Sequence, residues 1–275
     1  GGGGGRPRGG RRGAAAAART AATRAPSRAG SPRRSRFSRK AAGDVTEQQV
    51  VAANIDVVFL VSGLDRDFNL RRIERYLVTA REGGAQAVVV LNKADLCDRL
   101  DAGVAEVARV AAGTPVHAVS ALARDGLDAV VPYLVRGRTI ALLGSSGVGK
   151  STLINALLGH ERQRTRAVRE KDSRGRHTTT HREMVVLPQG AMLIDTPGMR
   201  ELQLWESEAA LTEAFDDIDA IATGCFFRDC RHDTEPRCAV KDAVARGDLP
   251  AERLANFHRL LREVRHLETK VDERA

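Results

Sequence analysis

The 275-residue chain is 42% hydrophobic and 29% charged, apolar enough for one or two packed cores. Its formal charge of +9 is unevenly spread: residues 1–40 hold 12 basic residues and no acid, whereas the other 235 hold 32 basic and 35 acidic ones. The basic character therefore belongs to the leading segment, and the remainder reads as a mildly acidic, ordinary soluble protein. No run reaches the roughly 18 apolar residues that a membrane-spanning helix needs, and four cysteines are too few for a disulfide scaffold.

Within residues 1–40, Gly, Ala, Arg and Pro fill 32 positions, and Phe37 is the one apolar side chain larger than alanine. Such a segment cannot bury enough surface to offset its backbone entropy, so it is predicted to be a disordered basic tail. Its functional readings are an arginine-rich grip on RNA phosphates, a targeting leader, or a truncated start, since the chain opens on Gly1 rather than Met.

From residue 41 the texture changes. Residues 56–61 form a short apolar run of buried-strand type, and Leu70, Ile73 and Leu77 follow at helical spacing. A second strand over 87–91 runs into Asn92, Lys93, Ala94 and Asp95; after a helical stretch, a third over 115–119 runs into Ser120 and Ala121. Residues 125–135 read as a helix, and 138–143 as a strand ending in the loop Gly144, Ser145, Ser146, Gly147, Val148, Gly149, Lys150, Ser151, Thr152. Residues 184–187 and 191–194 make a hairpin around Pro188–Gly190, whose second strand ends in Asp195, Thr196, Pro197 and Gly198. Strands alternating with helices predict an α/β domain with a mostly parallel six-stranded sheet, its polar motifs gathered at the strands' C-terminal ends.

Gly144–Ser151 fits G-x-x-x-x-G-K-[ST], in which backbone N–H groups cradle phosphates, Lys150 reaches the β- and γ-phosphates and Ser151 binds Mg²⁺. Asp195 is placed as the Mg²⁺-linked carboxylate and Gly198 as an N–H donor to the γ-phosphate. Asn92-Lys93-Ala94-Asp95 fits N-K-x-D: Asp95 can accept from the guanine N1–H and N2–H₂ edge, the Lys93 stem can cover the base, and Asn92 can tie the loop together. Ser120 and Ala121 can present N–H groups to guanine O6. The alternatives are a glycine-rich turn and polar surface loops. The motif order is N-K-x-D, S-A, phosphate loop, D-x-x-G, a circular permutation of the common order with all six strands retained.

The segment 161–181 carries six arginines and Lys171 against three acids and closes on His177, Thr178, Thr179 and Thr180. It is either a solvated loop or a switch whose Thr179 caps Mg²⁺ and whose arginines meet RNA phosphates. Met199 follows D-x-x-G where common GTPases carry a water-orienting glutamine; either the enzyme is nearly inert alone or another residue positions the water, with His177 the nearest candidate and a merely packed His177 as the alternative. Cys225, Cys230, His232 and Cys238 give C-x4-C-x-H-x5-C, a closed tetrahedral set suited to one structural Zn²⁺, with a disulfide plus a spare thiol as the alternative. Cys97 reads as a packed side chain, His258 and His266 as surface or boundary residues of a last helix whose apolar stripe packs on the metal module.

The permuted order, the His-Thr-Thr-Thr switch and the C-x4-C-x-H-x5-C module together resemble the bacterial ribosome small-subunit-dependent GTPase A (RsgA) family, from about Pro32 to the C-terminus. Arg39–Gly43 and Ser62–Asp65 are similar to that family as well. The resemblance implies a cytoplasmic, monomeric GTP hydrolase that works on the small ribosomal subunit and its rRNA late in maturation, uses Mg²⁺ with GTP, holds Zn²⁺ and relies on His177. It implies domains at 41–204 (GTPase) and 205–275 (helical, zinc-binding). The family's N-terminal OB-fold is expected to be missing, with the basic stretch in its place. The alternatives are a permuted GTPase of large-subunit assembly, or a nucleotide-regulated RNA-binding module without turnover.

Overall fold

Every residue of strand Val57–Gly63 is buried, as expected of a strand covered on both faces. The computed structural model describes residues 32–40, 48–159, 183–195 and 208–272. In chain order the elements are β1 (Arg36–Lys40), β2 (Gln48–Ala53), β3 (Val57–Gly63), α1 (Leu70–Glu82), β4 (Gln86–Asn92), α2 (Leu100–Val110), β5 (Val116–Ala118), β6 (Thr139–Leu143), α3 (Lys150–Leu158), β7 (Glu183–Val186) and β8 (Met192–Asp195), then α4 (Glu208–Ala214), α5 (Asp216–Ala222), α6 (Ala239–Arg246) and α7 (Ala251–Asp272). The expected six strands form one sheet in the order β5-β4-β3-β6-β8-β7. Its neighbours are parallel except the antiparallel β7–β8 hairpin.

Strand alternation divides the apolar residues between two cores. Val57, Phe59, Val61, Ile140 and Leu142 face Leu153, Ile154 and Leu157 of α3. Val58, Leu60, Ala141 and Leu143 face Ile73 and Leu77 of α1 and Val107 of α2. The phosphate-loop strand β6, fourth of the six in sequence, lies between β3 and β8, so every motif-bearing strand ends on the same side.

Two expectations need correction. The basic segment was expected to be disordered through residue 40, but Arg36–Lys40 pairs with Gln48–Ala53 as an antiparallel ribbon. Phe37 anchors it, only 2% exposed; its ring fills the space at Gly83, where an added Cβ would lie 2.5 Å from it. Burying one phenylalanine stabilises by about 1.5–3 kcal/mol, enough to hold a short basic strand. Residues 125–135 are not an α-helix but two 3₁₀ turns, 127–129 and 131–133. Pro132 cannot donate to the carbonyl four residues earlier, and its ring would collide with it.

Helices α4–α7 enclose a third core, which Val78 of α1 joins. A buried ionic cluster fixes that contact. Glu74, its side chain 1% exposed, accepts from Arg71, from Arg253 at 2.8 Å and from Asn256. Arg253 also grips Asp217 through Nε and Nη2 and lies 4.5 Å over the Phe215 ring. Burial opposes the Arg253 charge, but Asp217 and Glu74 outweigh it and its pKa is raised. Losing one partner of such a cluster costs about 3–5 kcal/mol, so the seating of α7 on α1 is strongly specified. Arg75 adds a paired contact to Glu263 at 2.6 Å.

Candidate nucleotide site and metal centre

Strand β6 delivers the chain into Gly144–Gly149, and α3 begins at Lys150. Two glycines are required for different reasons. Gly144 passes so close to β3 that a Cβ would lie 2.4 Å from the Val61 carbonyl oxygen. Gly149 combines φ +94° with an approach in which a Cβ would lie 2.3 Å from Asn92 Nδ2. Val148 is buried, Ser146 and Gly147 are exposed, and Ser145, Ser151 and Thr152 are half-buried. Lys150 curls back and donates to the carbonyls of Gly144 (2.8 Å) and Ser145 (2.7 Å), which holds its ammonium over the loop at the N-terminus of α3.

Asn92 joins the motifs. Only 2% exposed, it donates through Nδ2 to the Val148 carbonyl at 2.8 Å and accepts at Oδ1 from the Ala121 N–H at 3.0 Å. One amide thus ties the phosphate loop to the Ser120–Ala121 loop. The Ser120 hydroxyl donates to Asp95 Oδ1 at 2.5 Å and also accepts from the Ala123 N–H. Asp95 is exposed and Ala94 half-buried, so the carboxylate is held at an open edge. Lys93 adopts the left-handed conformation, φ 65°.

Strand β8 ends at Asp195, and the register Ala141↔Ile194 puts that end beside the phosphate loop. His177, Thr179, Gly198 and Met199 lie outside the described residues, as does the side chain of Asp195.

Sequence reasoning missed the loop between β3 and α1. Asp65 pairs with Lys93 at 2.5 Å. Asp67 accepts from Arg72 at 2.7 Å and from the Ser145 hydroxyl at 2.8 Å, and Arg72 donates to the same hydroxyl at 2.9 Å. The Arg72 hydrogen bond, opposed by partial burial and aided by Ser145, holds the Asp67 carboxyl below its ordinary value of 3.8, so the contact is intact at neutral pH. Arg72 lies only five residues from Asp67, but Lys93 and Ser145 lie 28 and 78 residues from their carboxylate partners, so local spacing does not reveal the cluster.

Among the described residues, Cys225, Cys230, His232 and Cys238 form the one group suited to a metal, their ligand atoms all within 4.8 Å of one another. The sulfurs of Cys225 and Cys238 are 3.8 Å apart, and His232 Nδ1 lies 3.6 and 3.4 Å from them. A tetrahedral site with metal–sulfur distances of about 2.3 Å has sulfur–sulfur edges near 3.8 Å, so the residues fit such an ion. Burial and the neighbouring sulfurs push the Cys230 thiol up to about 11, because a thiolate there is poorly solvated and repelled by its neighbours. Glu235 braces the knuckle by accepting from the N–H groups of Arg231 (3.0 Å) and Asp233 (2.9 Å). His258 lies at the boundary as expected, and there it hydrogen-bonds the Arg231 carbonyl at 3.0 Å and so ties the knuckle to α7. Cys97 is absent from this group and packs at the margin of the α1–α2 core.

No helix among the described residues is long and apolar enough to cross a membrane. The chain is 54% identical over 242 residues to the small ribosomal subunit biogenesis GTPase RsgA of Opitutus terrae, a match covering 88% of this chain and 66% of that protein. The protein of the same name from Methanosarcina acetivorans is 51% identical over 233 residues, 85% of this chain and 63% of that one. The chain thus spans just under two thirds of the length of these relatives. Among solved structures, YjeQ from Thermotoga maritima is similar with a TM-score of 0.60 at 29% identity, covering 84% of this chain and 76% of that one. YloQ, described as a circularly permuted GTPase, shares the fold with a TM-score of 0.58 at 23% identity, covering 88% and 83%. The model of the RsgA GTPase family matches residues 30–205. That match takes in the permuted strand order and all the nucleotide motifs, and by it the chain belongs to the RsgA GTPase family.

Proposed function

We propose that this protein hydrolyses GTP to GDP and phosphate on the small ribosomal subunit during its late maturation, and that contact with the subunit and its rRNA raises the rate. The observation that carries the reading is the Asn92 bridge, which sets a phosphate-cradling loop and a base-reading loop in one fixed relation. Residues 144–152 hold the phosphates, with Lys150 released from the loop carbonyls onto the β- and γ-oxygens. Asp95 accepts from the guanine edge and Lys93 covers the ring, whereas the N–H groups of Ser120 and Ala121, expected to meet O6, are taken by the Asp125 carbonyl and Asn92 Oδ1 and brace the loop instead. Adenine has no matching donor pair, and a desolvated, unpaired Asp95 costs roughly 1–3 kcal/mol. Ser151, Thr179 and Asp195 would hold Mg²⁺, whose charge would offset that developing on the phosphates. Gly198 reports the γ-phosphate, and His177 orients the attacking water.

The names of the relatives support the subunit assignment. Within the domain division at 41–204 and 205–275, the cysteine–histidine group holds one structural Zn²⁺; three thiolates and an imidazole leave no open position for chemistry. The working form is a cytoplasmic monomer.

The base assignment is tested by Asp95→Asn, whose amide can pair with the extra carbonyl of xanthine. GTP affinity should fall by on the order of 10-fold to 100-fold, and xanthosine triphosphate should become the better ligand in a direct competition assay. Unchanged GTP affinity would show that Asp95 does not read the base.

A further inference from the structure

We propose that Asp65 is a positioning residue for the base end of the site: its carboxylate fixes Lys93 so that the lysine stem is already laid out to cover a guanine ring. The inference rests on the guanine reading of Asn92–Asp95 and extends it to a residue outside the motif.

The placement begins with strand register. Gly63 stands opposite Asn92 in the β3–β4 pairing, and the Leu64 N–H donates to the Asn92 carbonyl at 2.8 Å. The loops leaving the two strands therefore start side by side. Lys93 turns the chain out of β4 in the left-handed conformation, φ 65° and ψ 37°, an unusual backbone for a residue with a Cβ. Its ammonium is 2.5 Å from Asp65 Oδ2, with side chains 21% and 24% exposed.

Asp65 is itself held. Its Oδ1 accepts from the Asp67 N–H at 3.1 Å, and its carbonyl accepts from the Phe68 N–H at 2.9 Å. The carboxylate folds back over Gly63, where a Cβ would sit 2.8 Å from Oδ1. An ion pair of this kind, still open to solvent at one side, adds little to folding. Its effect falls on the ligand: a lysine otherwise loses rotamer freedom when it settles on the base, and presetting it spares the complex a cost of up to about tenfold to thirtyfold in binding.

The test is a double-mutant cycle read by calorimetric GDP titration of the full chain. Asp65→Ala should weaken GDP about tenfold. Asp65→Asn should recover part of that loss, because the amide oxygen can still accept from Lys93 and from the Asp67 N–H. In a Lys93→Met background, Asp65→Ala should cost less than about twofold, since its effect runs through the lysine. Equal costs with and without Lys93, or an Asp65→Asn as weak as Asp65→Ala, would overturn the proposal. A wild-type chain that binds no GDP would overturn the guanine reading itself, a separate and recognisable failure.

Discussion

Met199 follows the D-x-x-G motif directly, and its thioether cannot orient a water as an amide does. The proposed substitute is His177 in the switch segment, whose imidazole can hydrogen-bond water near neutral pH. On that account basal turnover is slow. His177→Ala should lose on the order of 100-fold of the subunit-stimulated single-turnover rate while GTP still binds, the signature of a group acting in the transition state. Met199→Ala should lose much less. Normal turnover of His177→Ala on small subunits, or a larger loss at Met199, would remove the assignment. The site residues differed in how readable they were. Asn92, Asp95, Gly144–Ser151 and the cysteine–histidine set follow short spacing motifs, so the chain alone displays them. Asp65 reaches Lys93, and Asp67 and Arg72 reach Ser145, partners distant in sequence that strand register brings together.

At the scale of elements, the central strands were legible because they are apolar on both faces and bounded by motif residues. The β1–β2 ribbon was not, since Arg36–Lys40 looks like the basic tail before it and Phe37 is its one large apolar side chain. The 3₁₀ turns over 127–133 show the reverse error, helical spacing overruled by Pro132. The metal module gives its own expectation. Cys238 caps α6, its sulfur accepting from the Lys241 N–H at 3.4 Å, and Cys225 and Cys230 border the α4–α7 core. Purified protein should carry about one equivalent of zinc, since structural sites of this kind fold on their metal. Cys230→Ser should lower the unfolding temperature of the C-terminal helices while leaving GDP binding within about twofold. A zinc-free protein that is fully folded would contradict the metal reading.

Over the whole molecule, α1 joins the two halves. Arg72 reaches Ser145 in the phosphate loop, while Arg71, Glu74 and Arg75 on the same helix hold α7 directly or through its partners. The permuted order adds a second connection, because D-x-x-G leads along the chain into the helical module rather than back into the sheet. A nucleotide-dependent change at the loop would thus have one covalent route, along the chain after D-x-x-G, and one non-covalent route, through α1, to the helices carrying the cysteine–histidine group. The most direct test of the account is single-turnover GTP hydrolysis by the full chain, measured alone and with purified small ribosomal subunits at matched salt. The account predicts slow cleavage alone and a rise of at least about 10-fold on small subunits, with no comparable rise on large subunits. A rate indifferent to small subunits, or stimulated equally by large ones, would contradict it.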